Sequence, residues 1–520
     1  MPRRRRSYTG MDTTVATIPL IVDNLSTLYH YCRVRLFGKS GKGRTDAYCH
    51  HRRRCRGALT ALHLARGLPV GSAEIIVIEP AEEIGRGLAY STDDPGHLLN
   101  VRAANMSAFA DQPDHLFQWL QTKGPCAARP TPLCFIPRSM YGAYIADIAR
   151  ELTAAGGMRH VRERCVDLVE TGNSVVLALE AGGIVVADIA ILAIGNDGRP
   201  VLNGIPAVGP WAGDALKNLS ADLPVLLVGT GLTMVDMALS LDRQGHRGKI
   251  TALSPRGLLS QVHRNVKPIV VPANDVPFGA ELSKLSSWVR QFCANVVNEG
   301  GYWRSAIDAL RPHTQRLWRS MSLAQRQRFV RHARAYWDVH RHRLAPEVQT
   351  QLSSLRAAGR LEIIAGRIVD AEQRKDAITI KIVRRGQNEI ETCNFARLVD
   401  CTGPIHDPRQ STNPLIRSLL ARGAARPDPL SIGLDIDQEY SLIDASSRRS
   451  NRVRAIGPLT RAAFWKCIAI PDIRVQCGDL ADLIARTPPS GARDIRTTAA
   501  SASVSRQRSV SQAERSTQWH

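Results

Sequence analysis

The sequence predicts an α/β protein with two Rossmann-like βαβ units and a helical segment. Two stretches carry this prediction, because each combines a helix and an apolar strand at nucleotide-binding spacing: "GALTALHLARG" with "AEIIVIEP", and "LPVLLVGTGLTMVDMALSLDRQGHRGKITALS". The third observation is a helix-rich region at about 280–358, after which strands resume at "RLEIIAGRIVDAE". A chain of 520 residues is long enough for about two to three domains.

The second unit has the clearer nucleotide-binding pattern. The apolar strand Val225–Val228 leads into Gly229-Thr-Gly231 and then into a helix. Glycines at such a turn allow the backbone to approach a pyrophosphate, and the free N–H groups at the helix N-terminus then stabilise its charge. Met234 occupies the third glycine position, so the fingerprint is incomplete. The flanking strand and helix still predict a dinucleotide site.

The end of this unit's second strand favours NADPH over NADH. An NAD site usually places an Asp or Glu at this point to bind the ribose hydroxyls. This chain has Ser254 and Arg256 there instead. A hydroxyl and a guanidinium suit a 2′-phosphate. The alternative is that Arg256 is only a solvated loop residue.

The first unit is incomplete on its N-terminal side. Glu79 ends the strand "IIVIE" and lies 22 residues after Gly57, the spacing of an acid that binds a ribose. An apolar strand and two further glycines should precede Gly57. The chain has "AYCHHRRRCR" at 47–56 instead.

A change of reading frame explains this replacement. Synonymous codons for residues 46–56, read one base later, can encode Thr-His-Ile-Ala-Ile-Ile-Gly-Ala-Gly-Ala-Ala. This is an apolar strand and, with Gly57, a complete glycine fingerprint, whose recovered glycines fall at Arg52 and Arg54. We therefore expect a single-base loss just before Gly57, in the gene or in its reading, so that residues 1–56 carry no native function.

The basic charge of the chain lies mainly at its two ends. Residues 1–56 contain 13 Lys/Arg and 3 Asp/Glu, and residues 487–520 contain 5 and 2, so the ends hold more than half of the formal net charge of +22. A nucleic-acid-binding domain should instead present a basic face on its folded part. No nucleic-acid partner is expected, although a basic targeting or nucleic-acid arm remains an alternative for the N-terminal segment.

The 11 cysteines form no CxxC pair, which argues against a zinc ribbon and against a CxxC redox pair. No metal is expected. A metal site is a further alternative for the N-terminal segment, but it lacks a second ligand pair; its ligands would be Cys49, His50, His51 and Cys55. Scattered thiols, the lack of a signal-peptide pattern and the lack of an apolar run of about 18 residues predict a cytoplasmic protein without membrane contact.

The segment "YWDVHRHRLAPE" contains His340 and His342, which lie on different faces of a helix and are poorly spaced for a shared metal. Two interpretations remain for it. One is a solvated or salt-bridged edge, and the other is a lid over a substrate or over the NADPH phosphate.

Several motifs together resemble the FAD/NAD(P)-binding oxidoreductases, a group related in plan to flavin monooxygenases and glutathione-reductase-like flavoproteins. The motifs are "GRGLAYSTDDPGHLLNVRAANMSAF", "PRSMYGAYI", "GTGLTMVD", "WDVHRHRLAPE" and "FWKCIAIPDIRVQ", and the resemblance covers about 57–486. It implies an FAD domain with an inserted NAD(P) domain. By position, the FAD-side residues would be Gly57, Glu79, Asn100, Arg102, Gly195 and Gly457. Gly403 ends another strand and is a further cofactor-binding candidate. The NAD(P)-side residues would be Gly229, Thr230, Gly231, Thr233, Ser254 and Arg256.

The resemblance divides the chain into five parts. They are an aberrant basic segment at 1–56, the first part of the FAD-binding domain at 57–215, the NAD(P)-binding domain with its helical insert at 216–360, return strands and the second part of the FAD-binding domain at 361–486, and a disordered tail at 487–520. No oligomeric state follows from the sequence.

The resemblance implies an FAD-dependent oxidoreductase that takes a hydride from NAD(P)H and acts on a small molecule. The lack of a redox CxxC favours monooxygenase chemistry. No catalytic side chain is assigned, because the flavin supplies the chemistry and the protein supplies orientation and electrostatics. The alternative is an inactive nucleotide-binding remnant. Arg52 and Arg54 would place side chains where the backbone must approach the FAD pyrophosphate, so we expect weak or absent FAD binding by the chain as written.

Overall fold

The computed structural model describes residues 44–49, 55–123, 130–195, 202–212, 215–374, 377–403 and 407–486. Its strands form three sheets. The strands are β1 Arg44–Cys49, β2 Ala73–Ile78, β3 Arg159–Val161, β4 Cys165–Glu170, β5 Val175–Leu179, β6 Ile184–Ala187, β7 Ile189–Leu192, β8 Val225–Val228, β9 Ile250–Ser254, β10 Leu361–Gln373, β11 Ile378–Arg384, β12 Ile390–Phe395, β13 Arg397–Asp400, β14 Ser441–Ile443 and β15 Arg449–Ala455.

The helices cover the sheets and form a separate cluster between β9 and β10. They are α1 Cys55–Gly67, α2 Gly87–Tyr90, α3 His115–Lys123, α4 Arg138–Ala154, α5 Leu232–Arg243, α6 Leu282–Asn298, α7 Trp303–Ala309, α8 Thr314–Ser320, α9 Leu323–Arg328, α10 Arg334–Arg341, α11 Pro346–Ala357, α12 Pro414–Ala421, α13 Arg461–Phe464 and α14 Ile470–Arg486. Across the described ranges, every helix is too short or too polar to cross a membrane.

The first sheet has the strand order β14-β15-β7-β1-β2-β3 and is parallel except for β14. The backbone of β1 pairs with both β2 and β7, so the expectation that the first unit lacks its first strand is wrong. A central parallel strand is covered on both faces and is normally a continuous apolar run. The neighbours follow this rule with "AEIIVI" and "IAIL", whereas β1 reads "RTDAYC".

The helix of the first unit begins at Cys55. This is two residues before Gly57, the first residue that we expected to be in the native reading frame. One face of this helix, including Leu59 and Leu64, is fully buried against the first sheet. The strand Arg44–Cys49, whose backbone pairs with β2 and β7, lies within the segment 1–56 that we expected to be aberrant. That the segment is out of frame stays a prediction.

The second sheet has the order β12-β11-β10-β9-β8-β13 and is inserted into the first domain. The chain leaves the first sheet after β7 and returns to it at β14. β10 pairs in parallel with β9, placing Leu361 opposite Ile250, and β13 pairs with β8. The predicted division at residue 361 is therefore corrected: the inserted domain continues to Asp400, because its sheet includes β10–β13.

The helical segment α6–α10 has its own small core. Trp318 and Trp465 are both buried, and their rings stack with centroids 4.4 Å apart. Trp465 belongs to the stretch between β15 and α14, so this core joins the helical segment to the C-terminal part of the first domain. The chain forms a wide π-helical turn at Phe329–Ala333, a feature often found at functional sites.

Candidate functional site

The turn after β8 has the geometry that an approaching pyrophosphate needs. Gly229 has φ +116°, and a Cβ atom there would lie 2.5 Å from the carbonyl oxygen of Cys401. Only glycine fits this crossing of two chain segments. Gly231 is the N-cap of α5, and a Cβ atom there would meet nothing within 4 Å. The N-terminus of α5 is thus open to a ligand, and the turn fits a dinucleotide.

Two hydroxyls of the predicted site hold this turn in place. The Thr230 and Ser254 hydroxyl oxygens lie 2.8 Å apart, and the Thr230 hydroxyl lies 2.7 Å from the carbonyl oxygen of Leu258. Ser254 also accepts a hydrogen bond from the N–H of Gly257 at 3.0 Å. These contacts position the glycine turn against the end of β9. Thr233 lies half-buried in the first turn of α5.

Arg256 is held beside the helical segment and is not a free loop residue. Its guanidinium donates to the carbonyl oxygen of Arg331 at 3.2 Å and lies 5.8 Å from the centre of the Tyr336 ring. Since Ser254 is engaged within the turn, the preference for NADPH depends mainly on Arg256. That preference stays a prediction.

The FAD-side residues cluster at the carboxyl ends of the first sheet's parallel strands, the edge at which such sheets bind ligands. Glu79 follows β2, is 1% exposed, and its carboxylate accepts the N–H of Ala81 at 3.1 Å. Gly195 follows β7 with φ +72°. Gly457 follows β15 with φ +72°, and its N–H donates to Oε1 of Gln476 at 2.8 Å.

Two other predicted glycines take different positions. Gly57 is buried in the first turn of α1. Gly403 follows β13 of the second sheet with φ +95°, so it marks the return crossing from the inserted domain. Arg52 and Arg54, which carry the expected block to the pyrophosphate, lie outside the described residues, as do His50 and His51 of the alternative metal site.

Arg56 occupies space beside the predicted FAD-side residue Gly457. A Cβ atom on Gly457 would lie 2.8 Å from Cδ of Arg56, so this side chain fills the space between α1 and the Gly457 segment. Its Nε is buried without a hydrogen-bond partner among the described residues. Burial lowers the pKa of Arg56, and only Tyr90 and nearby thiols oppose that effect. A buried guanidinium nitrogen without a hydrogen-bond partner is unfavourable, so this contact weakens the packing around the start of α1.

A polar cavity of about 270 Å³ lies where both dinucleotide-binding domains meet the helical segment. The predicted residues Asn100 and Arg102 line it. Arg102 donates to the carbonyl oxygen of Arg264 at 3.1 Å and to Oδ1 of Asn265 at 2.5 Å. His263 Nε2 lies 3.0 Å from the carbonyl oxygen of Asn100. The structure therefore brings the FAD-side loop into contact with the segment after β9.

This polar cavity is strongly basic, and no sequence pattern indicates it, because its charges come from separate segments. Burial lowers the pKa of His263 and of His342 to about 4, so both imidazoles are neutral at pH 7. The positive charge comes from five arginines, and Asp308 is the single lining carboxylate among the described residues. The arginines are Arg102, Arg264, Arg311, Arg341 and Arg343. Such a cavity favours anionic groups.

The "HRHR" segment is ion-paired. Arg343 is 3% exposed and lies 2.8 Å from Asp308, while Arg341 lies 3.4 Å from Asp472 in the first turn of α14. These contacts support the salt-bridged interpretation, with the difference that the segment is buried against the polar cavity. His340 lies on the other side of the helix, 4.9 Å from the Trp303 ring.

A buried polar network fastens α5 of the inserted domain to the first domain. Arg138 forms an ion pair with Asp236 at 2.7 Å, with side chains 13% and 9% exposed. His97 Nε2 lies 2.8 Å from the hydroxyl of Ser240. Burial raises the pKa of Asp236, and the positive charge of Arg138 opposes that rise. The ion pair therefore joins the two domains through a buried contact.

Breaking this ion pair should destabilise the protein. We expect Arg138→Leu to lower the free energy of unfolding by roughly 3 kcal/mol, because it leaves Asp236 buried without its partner. The double variant R138L/D236L should be less destabilised than R138L alone. Denaturant unfolding measures both, and Arg150→Leu, on the exposed side of the same helix, is the control. Equal losses in the single and double variants would contradict this account.

The geometry agrees with what similarity to known proteins shows. Residues 55–197 match the FAD-NAD(P)-binding family, and no curated protein matches the chain in sequence. The family match confirms the predicted cofactor class, FAD and NAD(P).

Two similar solved structures align with this chain over almost the whole of their own length. The Kutzneria ornithine N-hydroxylase, in a structure titled with reduced FAD, NADP⁺ and L-ornithine, aligns with TM-score 0.54 at 14% identity over 86% of this chain and 99% of its own. The L-lysine 6-monooxygenase of Pseudomonas syringae aligns with TM-score 0.58 at 15% identity over 85% and 99%.

A third similar structure is the cadaverine monooxygenase of desferrioxamine biosynthesis from Erwinia amylovora, bound to FAD. It aligns with TM-score 0.54 at 12% identity over 85% of this chain and 94% of its own. At these identities the similarity establishes the fold, and the predicted α/β architecture with two Rossmann-like domains is confirmed.

Proposed function

We propose that this chain derives from an FAD-dependent oxidoreductase that takes a hydride from NADPH. Its residues 55–197 match the FAD-NAD(P)-binding family, and its fold is that of two-dinucleotide-binding flavoproteins. Two observations support the proposal: the basic polar cavity at the junction of both domains, and the open glycine turn at the start of α5. FAD supplies the redox chemistry when it is bound. The chain's own residues bind and orient the nucleotides.

Monooxygenase chemistry on a small molecule is the form of this function that we favour. Two observations support it: the sequence contains no CxxC redox pair, and the similar structures named above are N-hydroxylating or amine-directed monooxygenases by title. The test is NADPH oxidation and oxygen uptake by a frame-repaired protein loaded with FAD. A flavin-loaded protein that does not oxidise NADPH would overturn the proposal.

Arg256 should determine the choice between the two nicotinamide cofactors. We expect Arg256→Leu to raise the KM for NADPH about tenfold to a hundredfold, the effect of losing a charged hydrogen bond to the 2′-phosphate. The KM for NADH should be unchanged, because NADH lacks that phosphate. The control is Arg247→Leu, which removes an exposed arginine from the same domain. Equal effects of Arg256→Leu on both cofactors would show that Arg256 does not select NADPH.

The second candidate function is that of a nucleotide-binding remnant without flavin chemistry. The observation in its favour is Arg56, whose side chain fills the space beside Gly457. The inserted domain keeps its glycine turn, so such a remnant would bind NADPH without retaining FAD. Flavin content and NADPH binding, measured on the chain as written, separate the two candidates.

A further inference from the structure

The helical segment encloses a second, larger cavity of about 740 Å³, which is within the usual size range of small-molecule sites. Its floor is apolar and buried: Ile307, Leu310, Trp318 and Trp465 are all at most 7% exposed. Trp303 and Phe329 add aromatic walls. Such a surface suits a flat or apolar body of a ligand.

The charged side chains around this apolar cavity are basic. Arg290, Arg328 and His332 line it at exposed positions, and His340 lines it at a half-buried one. Among the described residues, no Asp or Glu lines the cavity. A ligand with a cationic amine would find no counter-charge here, whereas an anionic group would find two guanidinium groups.

The apolar cavity and the basic polar cavity share α7. Trp303 and Ile307 face the apolar cavity, while Ser305 and Asp308 on the same helix line the polar one. Trp465 connects the apolar cavity to the first domain, because it lies between Gly457 and the start of α14. The apolar cavity therefore adjoins the C-terminal part of the first domain through Trp465 and the polar cavity through α7.

The backbone around this cavity is unusual at two points. Trp465 has φ +29°, a conformation that bulky residues rarely adopt, and such strain is often found at functional sites. Its ring is fixed there by stacking on Trp318, whose Nε1 donates to the carbonyl oxygen of Ala462 at 2.7 Å. The π-helical turn Phe329–Ala333 adjoins it, and the Phe329 ring lies edge-on to Trp465 with centroids 5.3 Å apart.

From these observations we propose that the apolar cavity of the helical segment binds an organic acid with an apolar, aromatic-sized body. We further assign this acid as the substrate class of the enzyme, an assignment that rests on the proposed function. Binding of the acid does not rest on it, because the cavity is built entirely from the helical segment and Trp465.

Binding of three naphthalene probes to the whole chain tests the proposal. Titration calorimetry compares 1-naphthylacetate, the neutral 1-naphthalenemethanol and the cationic 1-naphthylmethylamine, all without added cofactor. We expect saturable binding of the acid and about tenfold or weaker binding of the amine, corresponding to roughly 1.4 kcal/mol. No saturable binding of the acid, or equal binding of the amine, would overturn the proposal.

Three variants locate the site. Val289→Trp fills the cavity from α6 and should weaken binding of the acid about tenfold or more, and R290Q/R328Q should remove most of the preference for acid over amine. Lys284→Gln is the control, because Lys284 is exposed on α6 and does not line the cavity. Unchanged binding in Val289→Trp with unchanged circular dichroism would place the acid elsewhere. Since these titrations need neither FAD nor NADPH, their failure is distinct from failure of the flavin assays.

Discussion

Restoring the shifted reading of residues 46–56 should let the protein retain about one FAD per chain, whereas we expect the chain as written to retain little or none. The repaired segment would place an apolar strand at the centre of the first sheet, where the present chain places "RTDAYC" between two apolar strands. It would also put glycine at Arg52 and Arg54 and alanine at Arg56. Removing three arginine side chains from this turn should strengthen FAD binding at least about a hundredfold. Flavin absorbance of the purified protein and titration with FAD measure the effect.

Single substitutions on α1 separate the contribution of Arg56 from that of the whole repair. Arg56→Ala should raise the thermal stability of the chain, because the buried Nε of Arg56 has no hydrogen-bond partner among the described residues. It should not restore full flavin occupancy. Arg66→Ala, at the exposed end of the same helix, should change neither property. Full flavin content in the chain as written would refute the frame hypothesis, and so would a DNA sequence across codons 40–60 that cannot give the shifted reading.

The two glycines of the inserted domain should fail in different ways when replaced. Gly229→Ala should destabilise the protein by about 3 kcal/mol, since it combines a positive φ with a Cβ atom 2.5 Å from the Cys401 carbonyl oxygen. Gly231→Ala should fold with near-normal stability, because a Cβ atom there meets nothing within 4 Å. It should nevertheless bind NADPH about tenfold more weakly or worse, since the new methyl group stands where the pyrophosphate approaches.

Thermal unfolding and NADPH titration of both variants provide the test. Gly245→Ala is a useful reference, because this glycine also has a positive φ but would place its Cβ atom in open space after α5. It should show the cost of the backbone conformation without the clash at Cys401. If Gly231→Ala binds NADPH normally, the dinucleotide does not approach the backbone at this turn.

The sequence predicted the elements whose signals are local. Each of these elements is a strand followed by a glycine or an acid, a pattern contained in a few neighbouring residues. They are the turn at Gly229 and Gly231, the acid Glu79 after β2, and the crossings at Gly195, Gly403 and Gly457. The insertion of one dinucleotide-binding domain into the other followed from the resemblance. The boundary at residue 361 was wrong, because strand composition does not show which sheet a strand joins.

Local patterns were enough to predict the α/β class and the two nucleotide-binding units, and they also raised the hypothesis of a frame change before Gly57. Only the tertiary structure showed that Arg56 packs against Gly457, that Asn100, His263 and Arg343 line one cavity, and that Trp465 closes another. The physical reason is the sequence separation of these groups. A contact between residues hundreds of positions apart leaves no periodic pattern in either segment, and it arises only when the sheets and the helical segment are packed together.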